Sequence, residues 1–114
     1  MKEQYRAGLE GEELAAGYLK ARGLKKLATR FRAEDGEIDI IAKDQDVTCF
    51  IEVKYRPNAR LGEALEAVTE DKRRRVRNAA RAYCRMHHVH TPIRYDVMEI
   101  TRAGVWHLKG QTGQ

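Results

Sequence analysis

The sequence is poor in cysteine, proline and aromatic residues, and it contains no long apolar run. Its 114 residues include two cysteines, two prolines and 7% aromatic residues. Cys49 and Cys84 are too few for a disulfide framework and wrongly spaced for a zinc site, so we expect reduced, largely buried thiols. No segment approaches the length of a membrane span, and the first ten residues lack the apolar centre of a signal peptide. We therefore expect a cytoplasmic protein with no membrane segment.

Three histidines stand close together near position 90. His87, His88 and His90 form the segment HHVH, which could suggest a metal site. The segment follows the expected end of a helix and has no companion cysteines, so a solvated loop is the favoured interpretation.

Charge and length limit the class of protein. The chain is 42% hydrophobic and 34% charged, with a net charge of +5. Its length suits one domain with one modest core, which we place at residues 1–110, followed by a frayed tail at 111–114. A basic domain favours polyanionic partners, although net charge alone is weak support for any one partner.

The hydrophobic pattern predicts an α/β domain. A helical pattern over residues 3–22 ends at Gly23, and a second helix rich in helix-forming residues is predicted over 63–87. The predicted strands are residues 25–33, 37–43, 47–56, 93–100 and 104–109. The order α-β-β-β-α-β-β indicates a mixed central sheet flanked by helices.

Each predicted helix carries one charge on its apolar stripe. Glu12 and Lys72 occupy inward positions by helical spacing, and a buried charge is costly unless it is paired or binds a metal. Both could instead lie at the stripe margins and reach water, and Glu13 could replace Glu12 on a slightly rotated helix. The two stripes consist of Tyr5, Leu9, Ala16 and Leu19, and of Leu65, Val68, Val76, Ala79 and Tyr83.

Two predicted strands carry further acids. The segment GEIDII places Asp39 among isoleucines, where a residue that disfavours strands needs a reason. Side chains alternate along the strand that contains FIEVKYR, so Cys49 and Ile51 line one face while Phe50, Glu52 and Lys54 line the other. A hairpin turn at 43–46 would bring Asp39 level with Glu52, so their carboxylates could converge. Glu37 is a weaker outer candidate, and a solvated strand face would explain Glu52 and Lys54 equally well.

Two adjacent carboxylates and a lysine suit phosphodiester hydrolysis. Close carboxylates repel, so at least one is protonated or a cation lies between them. Hard oxygen ligands select Mg²⁺ or Mn²⁺, which polarise a phosphoryl oxygen and acidify bound water. A lysine beside them could orient that water or offset charge that develops on the phosphate.

Five segments in order resemble one family. They are GLEGEELAAGYL, GEIDII, FIEVKYR, LGEALEAVTEDKRRR and RYDVMEI, spread over residues 8–100. In them the chain resembles the YraN-like (UPF0102) family of predicted endonucleases, and GEIDII with FIEVKYR resembles the D-(x)n-E-x-K signature of the PD-(D/E)XK superfamily. The resemblance implies a restriction-endonuclease-like, or Holliday-junction-resolvase-like, fold.

The resemblance also implies roles for individual residues. Asp39 and Glu52 would be metal ligands together with the Val53 carbonyl, and Lys54 would be the catalytic lysine. Glu12 matches a first-helix glutamate that faces the same site, and Lys72 matches a second-helix lysine that would contact phosphate. The chain departs from the family pattern at Arg30, where the family usually has asparagine. It departs from the superfamily pattern at Ile38, where a proline would precede the aspartate.

Arginines recur on the second predicted helix. Arg73, Arg77, Arg81 and Arg85 are spaced by four and form a basic ridge, which Arg74 and Arg75 widen. Arg56 and Arg60 lie in the loop after Lys54. Beyond its first turns, few acids on this helix would offset the repulsion along the ridge, which favours contact with a nucleic-acid backbone over a merely solvated face. No base-reading motif is evident.

Three functional hypotheses follow. The leading one is a Mg²⁺- or Mn²⁺-dependent endonuclease acting on DNA, including branched or damaged DNA, and symmetric cutting of two strands would call for a homodimer. The alternative is a nucleic-acid-binding module that keeps the nuclease fold without cutting. A third is a structural protein whose acids form an ion-paired patch.

Overall fold

The structure, a computed structural model, describes residues 2–58 and 69–110, with side chains from residue 10 onward. Helix α1 spans Lys2–Ala21 and is followed by three strands, β1 (Lys25–Ala33), β2 (Gly36–Asp44) and β3 (Val47–Tyr55). Helix α2 spans Glu70–Met86, and the described chain ends with strands β4 (Ile93–Thr101) and β5 (Gly104–Leu108). The predicted α/β class and the order α-β-β-β-α-β-β are confirmed.

The strands form one mixed sheet in the order β1-β2-β3-β4-β5. β3 and β4 are parallel and all other neighbours are antiparallel. Tight turns suffice for the antiparallel pairs, whereas the parallel pair needs a long crossover, and α2 lies in it. β3 is therefore central to the sheet and receives contacts from strands on both of its edges.

A helix packs on each face of the sheet and gives two cores. The α1-side core contains Ala15, Leu19, Leu24, Ile40, Ala42, Cys49, Ile51, Met98 and Ile100. The α2-side core contains Ile38, Ile41, Phe50, Val76, Ala79, Ala80, Tyr83 and Tyr95. The predicted division of β3, with Cys49 and Ile51 on one side and Phe50 on the other, is confirmed. Cys49 and Cys84 are free thiols, and Cys49 is buried.

The prediction of one continuous helix over 63–87 is wrong at Thr69. Thr69 has extended backbone angles (φ −88°, ψ 164°), and its side chain caps α2 by accepting a hydrogen bond from the Lys72 amide. The sequence signal was a threonine followed by Glu70 and Asp71, since acids favour the first turn of a helix. The other positions of that prediction, including Leu65 and Val68, lie outside the described residues.

The inward stripes are confirmed where side chains are described, apart from one position. Leu19, Val76, Ala79 and Tyr83 are buried. The prediction is wrong at Ala16, which is only partly buried, because its neighbour Ala15 is the residue that faces the core. The side chains of Tyr5 and Leu9 lie outside the described part, as does the predicted tail at 111–114. Neither described helix is long and apolar enough to cross a membrane.

Candidate metal and catalytic site

Strands β2 and β3 separate halfway along their length. Their pairing ends at Ile40 and Ile51, after which β2 stays paired with β1 and β3 stays paired with β4. A gap therefore opens between the two central strands. It begins at the level of the next two residues, Asp39 on β2 and Glu52 on β3.

β2 bends at Asp39. Ile38 and Ile40 would share a face in a regular strand, yet they pack in different cores. The bend lies opposite Arg30 of β1, which has a left-handed φ of 51° and sits between residues paired with Ile40 and Ile38. Such a φ is uncommon outside glycine and marks local strain. The bend directs the Asp39 side chain into the gap.

Asp39 and Glu52 form the acidic pair. Asp39 Oδ2 accepts a hydrogen bond from the Val53 amide at 2.8 Å, so the carboxylate takes the place of the missing strand partner. Glu52 is only 9% exposed. Burial first, and then repulsion from Glu52 and a hydrogen bond to it, raise the pKa of Asp39 to about 8. The predicted convergence of these two carboxylates is confirmed.

Lys72 reaches the acidic pair from α2. Its Nζ lies 3.1 Å from Glu52 Oε2, and its side chain is 34% exposed. The prediction that Lys72 faces inward is confirmed. Its ammonium supplies a positive charge that a nearly buried carboxylate requires.

Glu12 reaches the same region from α1. Gly11 allows the approach, because a Cβ on Gly11 would lie 2.6 Å from Tyr55 Cβ. Glu12 Oε1 is 3.1 Å from Arg30 Nε, and the Glu12 side chain is 17% exposed. The charge of Glu12 also raises the pKa of Asp39, but less than burial and Glu52 do. Glu12, rather than the exposed Glu13, is therefore the inward residue of α1.

Lys54 is half-buried on β3 and shares a face with Glu52 by strand alternation. Its neighbour in the parallel register is Glu99 of β4, which is fully buried. Sequence reasoning missed Glu99, because its segment was interpreted only as an alternating strand. The available signal was an acid between Met98 and Ile100, the same signal that identified Asp39.

The donor set fits a hard divalent cation. Asp39 and Glu52 offer adjacent carboxylate oxygens, which suit Mg²⁺ or Mn²⁺ better than zinc. Val53 offers a carbonyl, since the N–H and C=O of a strand residue point the same way and the Val53 N–H points to Asp39. Within residues 2–58 and 69–110, no group of three or more His, Cys, Asp or Glu side chains is arranged to hold a metal. The pair would thus depend on backbone and water for further ligands.

An open cavity of about 450 Å³ is connected to the acidic pair through Lys72, which contacts Glu52. Lys72 lines it, as does Glu37, the weaker outer candidate, which is ion-paired with Arg32. Gly36 also lines it, and a Cβ there would lie 2.1 Å from the Arg75 carbonyl, so the β1–β2 turn packs directly against α2. The cavity therefore lies where the turn and α2 meet.

The basic ridge is more neutralised than its sequence predicts. Arg77 pairs with Glu70 at 3.0 Å, Arg74 with Asp71 at 2.7 Å and with Asp35 at 3.3 Å, and Arg85 with Glu34 at 3.1 Å. As predicted, the only acids on α2 lie in its first turn, but Glu34 and Asp35 of the β1–β2 turn also offset the ridge, from outside the helix.

Arg81 and Arg73 of the ridge differ from these arginines in their hydrogen bonds. Arg81 donates to Asn78 at 3.2 Å, and the Nε of the half-buried Arg73 has no hydrogen-bond partner. Arg56 is exposed at the end of β3, whereas Arg60 lies outside the described residues.

A second acidic cluster, the Asp96 network, lies under α1. Asp96 is fully buried and accepts hydrogen bonds from Arg94 Nε and Nη2 (2.9 and 3.0 Å), His107 Nε2 (2.8 Å) and the Gly110 amide (3.0 Å). Arg94 also pairs with Asp44 at 3.1 Å. Burial alone would raise the pKa of Asp96, but these donors outweigh it and hold the pKa below its ordinary value. Sequence reasoning missed this network.

Fold and site together define a small α/β domain with an acidic pair between separated central strands. The model of the "Uncharacterised protein family UPF0102" matches residues 11–100. The chain belongs to the UPF0102 family.

Curated relatives carry the same family name and no stated function. The chain is 37% identical over 103 residues to a UPF0102 protein of Shewanella denitrificans, covering 90% of this chain and 95% of the relative. It is 40% identical over 109 residues to one of Arthrobacter sp., covering 90% and 92%. A third, from Rhodopseudomonas palustris, is 44% identical over 98 residues, covering 84% and 74%.

Proposed function

We propose that this protein is a divalent-metal-dependent endonuclease of the restriction-endonuclease-like, PD-(D/E)XK type that hydrolyses phosphodiester bonds in DNA. The observation that carries the proposal is the acidic pair. Asp39 and Glu52 meet in a gap between strands, and the pKa of Asp39 is raised to about 8 because of burial and the neighbouring carboxylate. Strongly perturbed carboxyls in a cleft are typical of functional sites.

Asp39, Glu52 and the Val53 carbonyl would hold Mg²⁺ or Mn²⁺, which supplies a Lewis acid and an acidified water at the phosphate. Lys54 contributes a positive charge from the same strand face as Glu52, where it orients water and offsets charge on the phosphoryl oxygens. Lys72 and the exposed Arg81 bind the DNA backbone. Because Glu52 is only 9% exposed, water screens its charge little, and its attraction to a bound cation is strong at short range.

A second candidate is a nucleic-acid-binding module that keeps the fold without cutting. Two observations favour it over catalysis. The part of the chain that the structure describes holds no cluster of three side-chain metal ligands, and the Lys72 ammonium already neutralises Glu52. In this case the basic side chains act alone.

Cleavage of labelled duplex, single-stranded and four-way-junction DNA in Mg²⁺ distinguishes the two candidates. We expect the wild type to cut at least one substrate and Asp39→Ala to cut none. Asp46→Ala is the matched control, because Asp46 is an exposed aspartate in the β2–β3 turn. Binding without cleavage by the wild type, or equal cleavage by wild type and Asp39→Ala, would contradict the nuclease proposal.

A further inference from the structure

We propose that Lys72 is an internal counter-ion of Glu52 that a divalent cation displaces, and that the displaced ammonium then binds a phosphate of the nucleic acid in the cavity that Lys72 lines. The inference deepens the proposed function and rests on it. It assigns one lysine to two successive partners and makes metal binding and DNA binding cooperative.

The starting partner is defined by a short contact. Lys72 Nζ lies 3.1 Å from Glu52 Oε2, and Glu52 is only 9% exposed. A carboxylate this buried needs a counter-charge within a few ångströms. In the metal-free protein Lys72 provides this counter-charge from α2, whereas the neighbouring Asp39 is itself an acid and provides none.

The second partner is defined by the position of Lys72 on its helix. Its backbone is fixed in the first turn of α2, where its amide donates to Thr69 Oγ1 at 3.1 Å. Its side chain is 34% exposed, and it lines the cavity of about 450 Å³. A lysine has a flexible stem of four methylenes, so its ammonium can leave Glu52 for the cavity while the backbone stays in place.

We expect Lys72 to leave Glu52 when a divalent cation binds at the acidic pair. A divalent cation at the acidic pair neutralises Glu52 more completely than an ammonium and repels Lys72 at short range. Two other cations of the cavity wall already have acidic partners, since Arg32 pairs with Glu37 and Arg75 lies 3.3 Å from Asp71. Lys72 would therefore be the cavity charge that metal binding releases for a phosphate.

Thermodynamic linkage makes this exchange measurable. If metal releases Lys72 for phosphate, metal raises DNA affinity and DNA raises metal affinity by the same factor. Removal of the ammonium has two opposite consequences. It removes a competitor of the metal and thus tightens metal binding, and it removes a phosphate ligand and thus weakens DNA binding.

The first arm of the test is calorimetric titration of Ca²⁺ alone into the DNA-free protein. We expect Lys72→Met to bind Ca²⁺ about tenfold more tightly than the wild type, within the usual range of coupling between sites. Lys72→Arg should behave as the wild type because it keeps the charge. Arg75→Met is the matched control and should not change the Ca²⁺ affinity, since Arg75 lines the same cavity but pairs with Asp71.

The second arm is fluorescence anisotropy of a labelled DNA duplex with Ca²⁺ or with EDTA. We expect Ca²⁺ to raise the DNA affinity of the wild type about tenfold and that of Lys72→Met less than about twofold. Unchanged or weaker Ca²⁺ binding by Lys72→Met, or an unchanged Ca²⁺ effect on its DNA binding, would overturn the role of Lys72 alone. No Ca²⁺ binding by the wild type would overturn the metal site of the proposed function as well.

Discussion

Two acidic clusters of this protein differ in how completely they are satisfied. In the Asp96 network, a fully buried carboxylate accepts four hydrogen bonds, two of them from Arg94, and its pKa lies below the ordinary value despite burial. In the acidic pair, Asp39 has one backbone donor and a second carboxylate beside it, and its pKa rises to about 8. The first arrangement is typical of structural networks, and the second of sites that bind an ion or move a proton.

The difference between the two clusters shows that burial of an acid does not by itself indicate function. Asp96 is more buried than Asp39, yet its charge is balanced by neighbours that also join β4 to β5 and to Gly110. The charge of the acidic pair is balanced only in part, by Lys72 at 3.1 Å from Glu52. A cluster whose charge is balanced only in part, and whose counter-ion Lys72 lines a cavity, is the better candidate for chemistry.

We expect the largest loss of cleavage rate when a lysine near the acidic pair is replaced, and little loss when a lysine near the Asp96 network is replaced. Lys54→Met should lower the cleavage rate about 10²- to 10³-fold, because a charge aimed at the reacting phosphate is lost while the metal ligands remain. Lys109→Met is the matched control, since Lys109 lies 3.7 Å from Asp44 in the Asp96 network. Its cleavage rate should stay within about twofold of the wild type. Equal losses in both variants would contradict a catalytic role for Lys54.

Stability should respond mainly to the Asp96 network. Asp96→Asn should lower the free energy of unfolding by about 2–4 kcal/mol, because Arg94 and His107 lose their buried acceptor charge. Urea denaturation measures the change, with Asp46→Asn as an exposed control expected near zero. A loss below about 1 kcal/mol would mean that the network is not the structural cluster we describe.

The two clusters should also give opposite pH dependences of stability. The pKa of Asp39 rises on folding from 3.8 to about 8, so its contribution is complete below the unfolded value and is lost as pH rises towards 8. Without metal, Asp39→Asn should therefore raise the free energy of unfolding at pH 8.5 by about 1–3 kcal/mol and leave it unchanged at low pH.

The contribution of Asp96 has the other sign. Its pKa falls on folding, so its stabilisation is present above the ordinary value of 3.8 and is lost as pH falls through the folded value. Asp96→Asn should flatten the stability profile below about pH 4, while Asp39→Asn flattens it between about pH 4 and 8. Parallel profiles of these two variants in denaturant titrations across pH would contradict the distinction between the clusters.

The smallest effect concerns two arginines of the ridge. Arg81 is bonded to the neutral Asn78, whereas Arg85 is paired with Glu34 at 3.1 Å. Arg81→Gln should weaken DNA binding about threefold and lower the salt slope by about one, because one phosphate contact is lost. Arg85→Gln should change the DNA affinity and the salt slope less, because Glu34 already pairs with Arg85. A larger loss of affinity for Arg85→Gln than for Arg81→Gln in anisotropy titrations would show that the ion pair does not keep Arg85 from binding DNA.

Sequence periodicity predicted much of the fold and the acidic pair. Alternation placed Cys49 and Ile51 opposite Phe50, and a short hairpin turn fixed the levels of Asp39 and Glu52. Both predictions follow from the alternation of side chains along a strand and from the length of the turn, which can be read from neighbouring residues in the sequence. The family resemblance is confirmed, and the nuclease assignment stays a proposal.

What the sequence could not show depends on contacts between distant segments. The neutralisation of Arg85 by Glu34 requires the β1–β2 turn to reach α2, and the Asp96 network requires β5 beside β4. The separation of β2 residues 36–39 from β3 likewise has no local signal. The start of α2 at Glu70 did have one, the capping threonine, and helix-forming composition obscured it.

Calorimetric titration of Mn²⁺ into three metal-free proteins shows whether the acidic pair binds a metal. The wild type and Asp44→Asn should bind Mn²⁺ saturably with similar affinity, since Asp44 belongs to the Asp96 network. Glu52→Gln should bind at least about tenfold more weakly, because one of two charged ligands is lost. Equal Mn²⁺ affinity of Glu52→Gln and the wild type, or no binding by the wild type, would contradict a metal site at the acidic pair.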